Sequence, residues 1–219
     1  YAPDGSYHSK FIANGQNGVP PGTLDYPVDL VLGPGGHLLV SSQLNDRVVR
    51  FDAVTGAHLG SFVSGGLLDG PSGLAYDASS GAVFAVGRFG NHVRRFQADG
   101  AADTAFAPQP LAQPFGAALD PVTNRLFVAN GNTHTVRILD AASGATLGTL
   151  GGGLSLPVGA RIGPEGDTYV ASYNDDRIAR FDTATGVAKA DFVTVAAAAA
   201  AGLDGPNFFA FLPDLGPRD

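Results

Sequence analysis

The sequence predicts an all-β fold made of small sheets repeated along the chain, and three observations carry that prediction. The first is composition. Of 219 residues, 31 are Gly and 15 are Pro, Cys, Met and Trp are absent, and the sole Glu is Glu165. Strong helix formers are nearly missing and turn formers abound, which excludes a helix bundle or a coiled coil. The second is a period. Prolines open successive units at Pro27, Pro71, Pro114, Pro157 and Pro206, in steps of 44, 43, 43 and 49 residues. The third is that two further anchors keep the same step. One is a large residue in a β pattern (Leu39, Phe84, Phe127, Tyr169). The other is Val48-Val49-Arg50-Phe51, repeated as Val93-Arg94-Arg95-Phe96, Val136-Arg137-Ile138-Leu139 and Ile178-Ala179-Arg180-Phe181.

Within a unit the elements follow in order. A first strand comes after the proline, as in Gly73-Leu74-Ala75-Tyr76, and a polar turn such as Asp77-Ala78-Ser79-Ser80-Gly81 closes it. The second strand covers 82–86, with counterparts at 38–40, 126–129 and 168–171. A polar loop follows, and then the strand with the Val-x-Arg-Phe anchor. A turn such as Val54-Thr55-Gly56 or Ala142-Ser143-Gly144 leads to a fourth strand ending near Phe62, Phe106, Leu150 or Phe192. Four short strands per ~43 residues, split by Gly-rich turns, make the blade of a β-propeller. One such sheet cannot bury both faces, whereas stacked blades bury their anchors against each other.

The expected organisation is four complete blades at 26–66, 67–110, 111–153 and 154–198, with partial blades at 1–25 and 199–219. Tyr1 to Phe11 reads as the tail of a blade whose front is missing. Joining the two ends gives a composite blade, so the whole ring is expected to hold five or six blades. The six alanines at 196–201 account for the long last step. They read as a linker, too short for a stable isolated helix.

Leu68-Asp69-Gly70-Pro71-Ser72-Gly73-Leu74-Ala75, with Asn45-Asp46-Arg47-Val48 and Asn91-His92-Val93, resembles the NHL group of bacterial-type propellers. Arg125-Leu126-Phe127-Val128-Ala129-Asn130, followed by Thr135-Val136-Arg137-Ile138-Leu139-Asp140, resembles the YVTN group. The resemblance implies the propeller fold and secretion to the cell surface or outside. It does not imply one function, because the fold hosts binding modules, lyases, hydrolases and surface-layer proteins. Propeller lactonases hold a divalent metal on the axis through Glu, Asn and Asp side chains. Here Glu165 sits in the turn Gly163-Pro164-Glu165-Gly166, so no such ligand carries over.

The formal charge of −7 argues against nucleic-acid binding, and no apolar run is long enough to span a bilayer. Without cysteine there is no disulfide and no thiolate nucleophile or ligand. No nucleophile elbow and no phosphate-binding glycine motif is present. The remaining candidates for chemistry are the loops between second and third strands: Asn45, Asp46, Asn91, His92, Asn130, Asn132, His134, Asn174 and Asp175. Their oxygens suit Ca²⁺, and a His92–His134 pair suits Zn²⁺ or acid–base work. The competing reading is that Asn and Asp fill left-handed turn positions, and that Asp46, His92, His134 and Asp176 share one capping slot. Arg50, Arg95 and Arg180 are expected to pair with Asp52, Asp140 and Asp182 or neighbouring turns. The sequence therefore reads as a non-enzymatic propeller without a resident cofactor. It would bind a protein partner, or assemble with itself, through open blade edges. A metal-dependent lactonase or lyase and a small-ligand or glycan binder are the alternatives.

Overall fold

The computed structural model describes residues 10–211 apart from 16, 17, 65 and 109. Its strands form four antiparallel sheets that follow one another along the chain. The first is β1 (Pro27–Leu32), β2 (Leu38–Ser42), β3 (Arg47–Phe51) and β4 (His58–Val63). The second is β5 (Pro71–Tyr76), β6 (Val83–Gly87) and β7 (His92–Phe96). The third is β8 (Pro114–Asp120), β9 (Arg125–Asn130), β10 (Thr135–Asp140) and β11 (Thr146–Leu150). The fourth is β12 (Pro157–Ile162), β13 (Thr168–Ser172) and β14 (Arg177–Phe181). Each sheet is a simple meander in sequence order. The opening strands β1, β5, β8 and β12 pack side by side, which makes them the inner strands of a ring.

Among the described residues two predicted fourth strands do not form. In the second sheet a lone bridge, Phe96 to Ala102, stands in for one. Asp103 there accepts from Arg95 Nε at 2.8 Å and from Ala105 N, and Pro108 and Pro110 follow without donors. Phe106 still packs edge-on against Phe84, with centroids 5.4 Å apart. In the fourth sheet the bridges are Phe181 to Ala188 and Ile178 to Val193. Between them Lys189 Nζ reaches Asp167 and Arg177 Nη1 reaches Asp191, both at 2.6 Å, and the chain bows away from β14. The alanine run is a helix, α1 (Val195–Ala201), rather than a bare linker. Thr194 Oγ1 accepts from Ala197 N at its start, left-handed Gly202 ends it, and Ala198 is buried.

The turns repeat one device. Asp52, Asp77, Asp140 and Asp182 each open a turn and accept from a hydroxyl two or three residues on: Thr55, Ser79 with Ser80, Ser143 and Thr185. Backbone N–H groups of the same turns donate to the same carboxylates. This corrects the expected pairing of arginines with Asp52, Asp140 and Asp182. Arg50 donates to Leu59 O and Arg180 pairs with Asp167, while Arg95 pairs with Asp103 and also donates to Ala141 O and Ala142 O, so the expected bond to a neighbouring turn is found in the turn that Asp140 opens.

The core lies between the sheets. Leu39, Val48 and Phe62 of the first meet Leu74, Val83 and Phe96 of the second. Phe84 and Val86 meet Leu126, Val128 and Leu139 of the third. Phe127, Val136 and Leu150 meet Val170, Ala179 and Phe181 of the fourth. The same contact continues at both ends. Val19, with Ile12 and Leu24, packs on Val40, Val49 and Phe51. Phe209 and Phe211 pack on Tyr169, Ala171 and Ile178. Residues 206–211 therefore take the place of a fifth inner strand.

A glycine two residues after three of the five opening prolines, Pro71, Pro114 and Pro157, permits this closeness. A Cβ on Gly116 would lie 2.6 Å from Val158 O and 3.1 Å from Gly159 Cα. Gly73 meets Gly116 and Phe115 in the same way, and Gly159 meets Asn207 O. The first unit carries Asp29 at this position and the fifth carries Phe208. The expected tail of a preceding blade, residues 1–9, lies outside the described residues.

Candidate functional site

The loops singled out for chemistry form one structural motif. Asp46, Asn91, His134 and Asp176 each sit immediately before a third strand in the left-handed region, with φ of 57°, 55°, 55° and 51°. Each accepts the backbone N–H of the residue before the next opening proline. Asp46 Oδ1 takes Gly70 N, Asn91 Oδ1 takes Gln113 N and Asp176 Oδ1 takes Gly205 N, all at 2.8 Å. His134 takes Leu156 N through Nδ1 at 3.0 Å. The donor N–H groups belong to residues that also have positive φ: Gly70, Gln113, Leu156 and Gly205. Residues before proline normally avoid helical and left-handed backbone, so each latch holds a costly bend and ties one blade to the next.

The expected capping slot is therefore real but shifted by one residue in the second unit: its occupant is Asn91, not His92. His92 begins β7, and its Nδ1 lies 3.0 Å from Gly90 O. The His92–His134 pair is not a pair of equivalent ligands.

The other candidates are also engaged locally. Asn130 Oδ1 accepts from Ala112 N at 2.6 Å, and its amide donates to Thr133 Oγ1. Ser42 and Ser172 make the matching bond to Asp25 N and Ser155 N in their own units. Asn45 Nδ2 donates to Gly22 O and Thr23 O at 3.2 Å, while its Oδ1 is buried without a donor among the described residues. Asp175 accepts from Ser172 Oγ at 2.6 Å and lies 3.6 Å from Arg177 Nε. Asn174 donates to Ser155 Oγ at 3.4 Å. Asn132 is exposed and takes part through its backbone N–H to Ala112 O. Among the described residues no three His, Asp or Glu side chains gather as a metal site.

Sequence reasoning missed the polar group on the axis. Asp29 of β1 and Arg161 of β12 meet across the ring, Nη2 to Oδ1 at 3.2 Å. The Asp29 side chain is 6% exposed. It also accepts from Leu30 N at 2.9 Å and from Leu74 N, in the second sheet, at 3.0 Å. Arg161 further donates to its own Ala160 O and to Ala117 O of the third sheet. One ion pair thus ties the inner strands of all four sheets. Burial pushes the Asp29 carboxyl above its ordinary range, against the pull of Arg161 and of the two backbone donors. A signal was present: Asp29 breaks the glycine series 73, 116, 159, and Arg161 breaks the small apolar series Val31, Ala75, Ala118, Ala210. Beside the pair a cleft of about 540 Å³ lies between β1 and residues 208–210.

No family model matches the chain, and no curated protein matches it. Solved structures do. A catalytically inactive virginiamycin B lyase from Staphylococcus aureus, with quinupristin, is 17% identical at a TM-score of 0.65, over 80% of this chain and 57% of that one. A streptogramin B lyase is 16% identical at 0.64, over 78% and 55%. A nidogen/laminin complex is 18% identical at 0.60, over 71% and 59%. The chain spans less than three-fifths of the length of each. These likenesses, with the four meander sheets around one axis, make the chain a β-propeller. At such identities they speak to the fold alone.

Proposed function

We propose that this propeller is a protein-interaction module, and that it acts outside the cell or at its surface by accepting an extended strand from a second polypeptide. The observation that carries this reading is the segment at residues 206–211. This segment packs on the fourth sheet as an inner strand would, yet no described strand is hydrogen-bonded to its free side. Beside it runs an apolar groove of about 630 Å³ lined by Ile178, Phe192, Val193, Leu203, Phe209 and Phe211. Phe192 is 59% exposed there. Unpaired strand groups next to an apolar trough are what strand addition uses: backbone bonds give affinity, and alternate side chains fill the trough. The engagement of the loop side chains in latches supports binding over catalysis, and this reading assigns no resident metal. The resemblance of the repeats to secreted propellers supports the location.

A copy of this chain is the simplest source of the strand. Sedimentation velocity across a concentration series should show mass above the 22.2 kDa monomer, and Phe192→Asp should return the protein to the monomer while a cooperative melting curve shows that it stays folded. A monomer at every concentration, indifferent to Phe192→Asp, would sink self-assembly. For the lyase or lactonase alternative, the deciding observation is stoichiometric Ca²⁺ or Zn²⁺ in the purified protein and a melting point that drops in EDTA.

A further inference from the structure

Arg88 stands apart among the described arginines. Arg50, Arg95, Arg125, Arg137, Arg161, Arg177 and Arg180 all donate hydrogen bonds to protein. Arg47 and Arg94 have no acceptor among the described residues, and both are exposed to water. Arg88 also has no acceptor among the described residues, but it is half-buried and its Nε is shut off from solvent. Its guanidinium lies over the Phe115 ring, 3.9 Å from the centroid, and 5.6 Å from that of Phe89. Burial lowers its pKa and the nearby Tyr26 phenol acts the other way, but an arginine stays charged throughout. Asp69, exposed in the adjoining segment, makes no ion pair with it.

The backbone sets this side chain in place. Arg88 follows β6, and its N–H donates to Gly70 O at 2.9 Å, beside the latch that Asp46 makes to Gly70 N. Phe115 follows the opening proline of β8. The guanidinium therefore leans from the second sheet over the head of the third, on the face that carries the latches. The counterparts of Arg88 in the other units are Gln43, Gly131 and Tyr173, so the charge belongs to one blade only. Stacking on a ring uses the flat face of the guanidinium. It leaves the in-plane N–H donors without a partner and partly desolvated, where a charged acceptor gains most.

We propose that Arg88 anchors a carboxylate-binding site on this face of the propeller. A carboxylate matches the fork of two parallel N–H donors. Phe89 and Phe115 supply an apolar wall for the rest of the ligand. One guanidinium on a chain of net charge −7 suits a monoanion better than a phosphate dianion. The site is independent of the strand-accepting groove.

The test is an NMR titration that follows the Arg88 Nε–Hε resonance of the whole chain. The probes are benzoate and an N-acetylated, C-amidated peptide with one Glu, with equal sodium chloride as the reference. We expect a saturable shift with Kd on the order of 1 mM, weakened roughly 10- to 100-fold in Arg88→Gln and unchanged in Arg47→Gln. Melting curves of both variants confirm that the fold is kept. Binding of benzoate assigns the site to small carboxylic acids, and binding of the peptide with benzoate inert assigns it to a protein side chain. A resonance that neither probe moves beyond the chloride reference overturns the proposal. So does binding that survives Arg88→Gln.

Discussion

Asp46, Asn91, His134 and Asp176 show how one position can take different residues for one physical job. The position needs a residue that tolerates left-handed backbone and carries a short acceptor. Asp46→Asn should therefore cost little, since Asn already does this work at 91. Asp46→Ala loses the acceptor and pays for the backbone, and should cost about 2 kcal/mol in urea unfolding. Equal effects of the two substitutions would show that the latch carries no energy. The axial pair behaves differently. Because the folded-state pKa of Asp29 is raised, its contribution is favourable below the ordinary carboxylate pKa and is lost as pH rises through the raised value. Removing Arg161 takes away the main influence that lowers this pKa. Arg161→Met should then destabilise little near pH 4 and by up to about 3 kcal/mol at pH 8. Melting curves from pH 4 to 8 check this, and a penalty that does not change with pH would contradict it.

At the scale of elements, the inner strands decide how tightly blades pack. Gly116→Ala places a methyl against backbone atoms of the fourth sheet that cannot move without separating β8 from β12. It should cost about 1–3 kcal/mol or more. Gly148→Ala in β11 makes a control, since the nearest neighbour of its Cβ would be Ile138 Cδ1 at 3.9 Å. It should be close to neutral, and equilibrium unfolding of the two variants gives the comparison. The outer edges of the blades are looser. The second and fourth sheets keep bridges where the first and third keep full strands, because ion pairs and prolines intervene.

At the scale of the whole molecule, the repeated turns set the response to acid. Hydrogen bonds from Thr55 hold Asp52 below its ordinary pKa, those from Ser143 do so for Asp140, and those from Thr185 for Asp182. Lys189 and Arg180 do the same for Asp167. A depressed folded-state pKa gives stability that is present above the ordinary value and lost as pH falls through the depressed one. Thermal stability should hold from neutral pH down to about 5 and drop steeply below about 4. A melting point that does not fall on acidification would show that these turns are not coupled to folding.

The propeller itself was legible in the sequence because its causes are local and repeat. A proline, a large residue and a Val-x-Arg-Phe strand recur every ~43 residues, and the turns between them need Gly, Asp and Ser for reasons of backbone geometry alone. The loop residues were legible as a polar slot for the same reason. What each slot side chain holds was not, because its partner lies 22 to 29 residues away in the next blade. The axial pair was less legible still. Asp29 and Arg161 stand 132 residues apart, and each looks like a lone exception to its own repeat. Only closure of the ring places one exception against the other. Arg88 follows the same rule. The sequence determined that a blade carries an arginine there, while the packing of the next blade decided that it lies flat on Phe115, since a stack between neighbouring sheets exists only once the sheets are side by side.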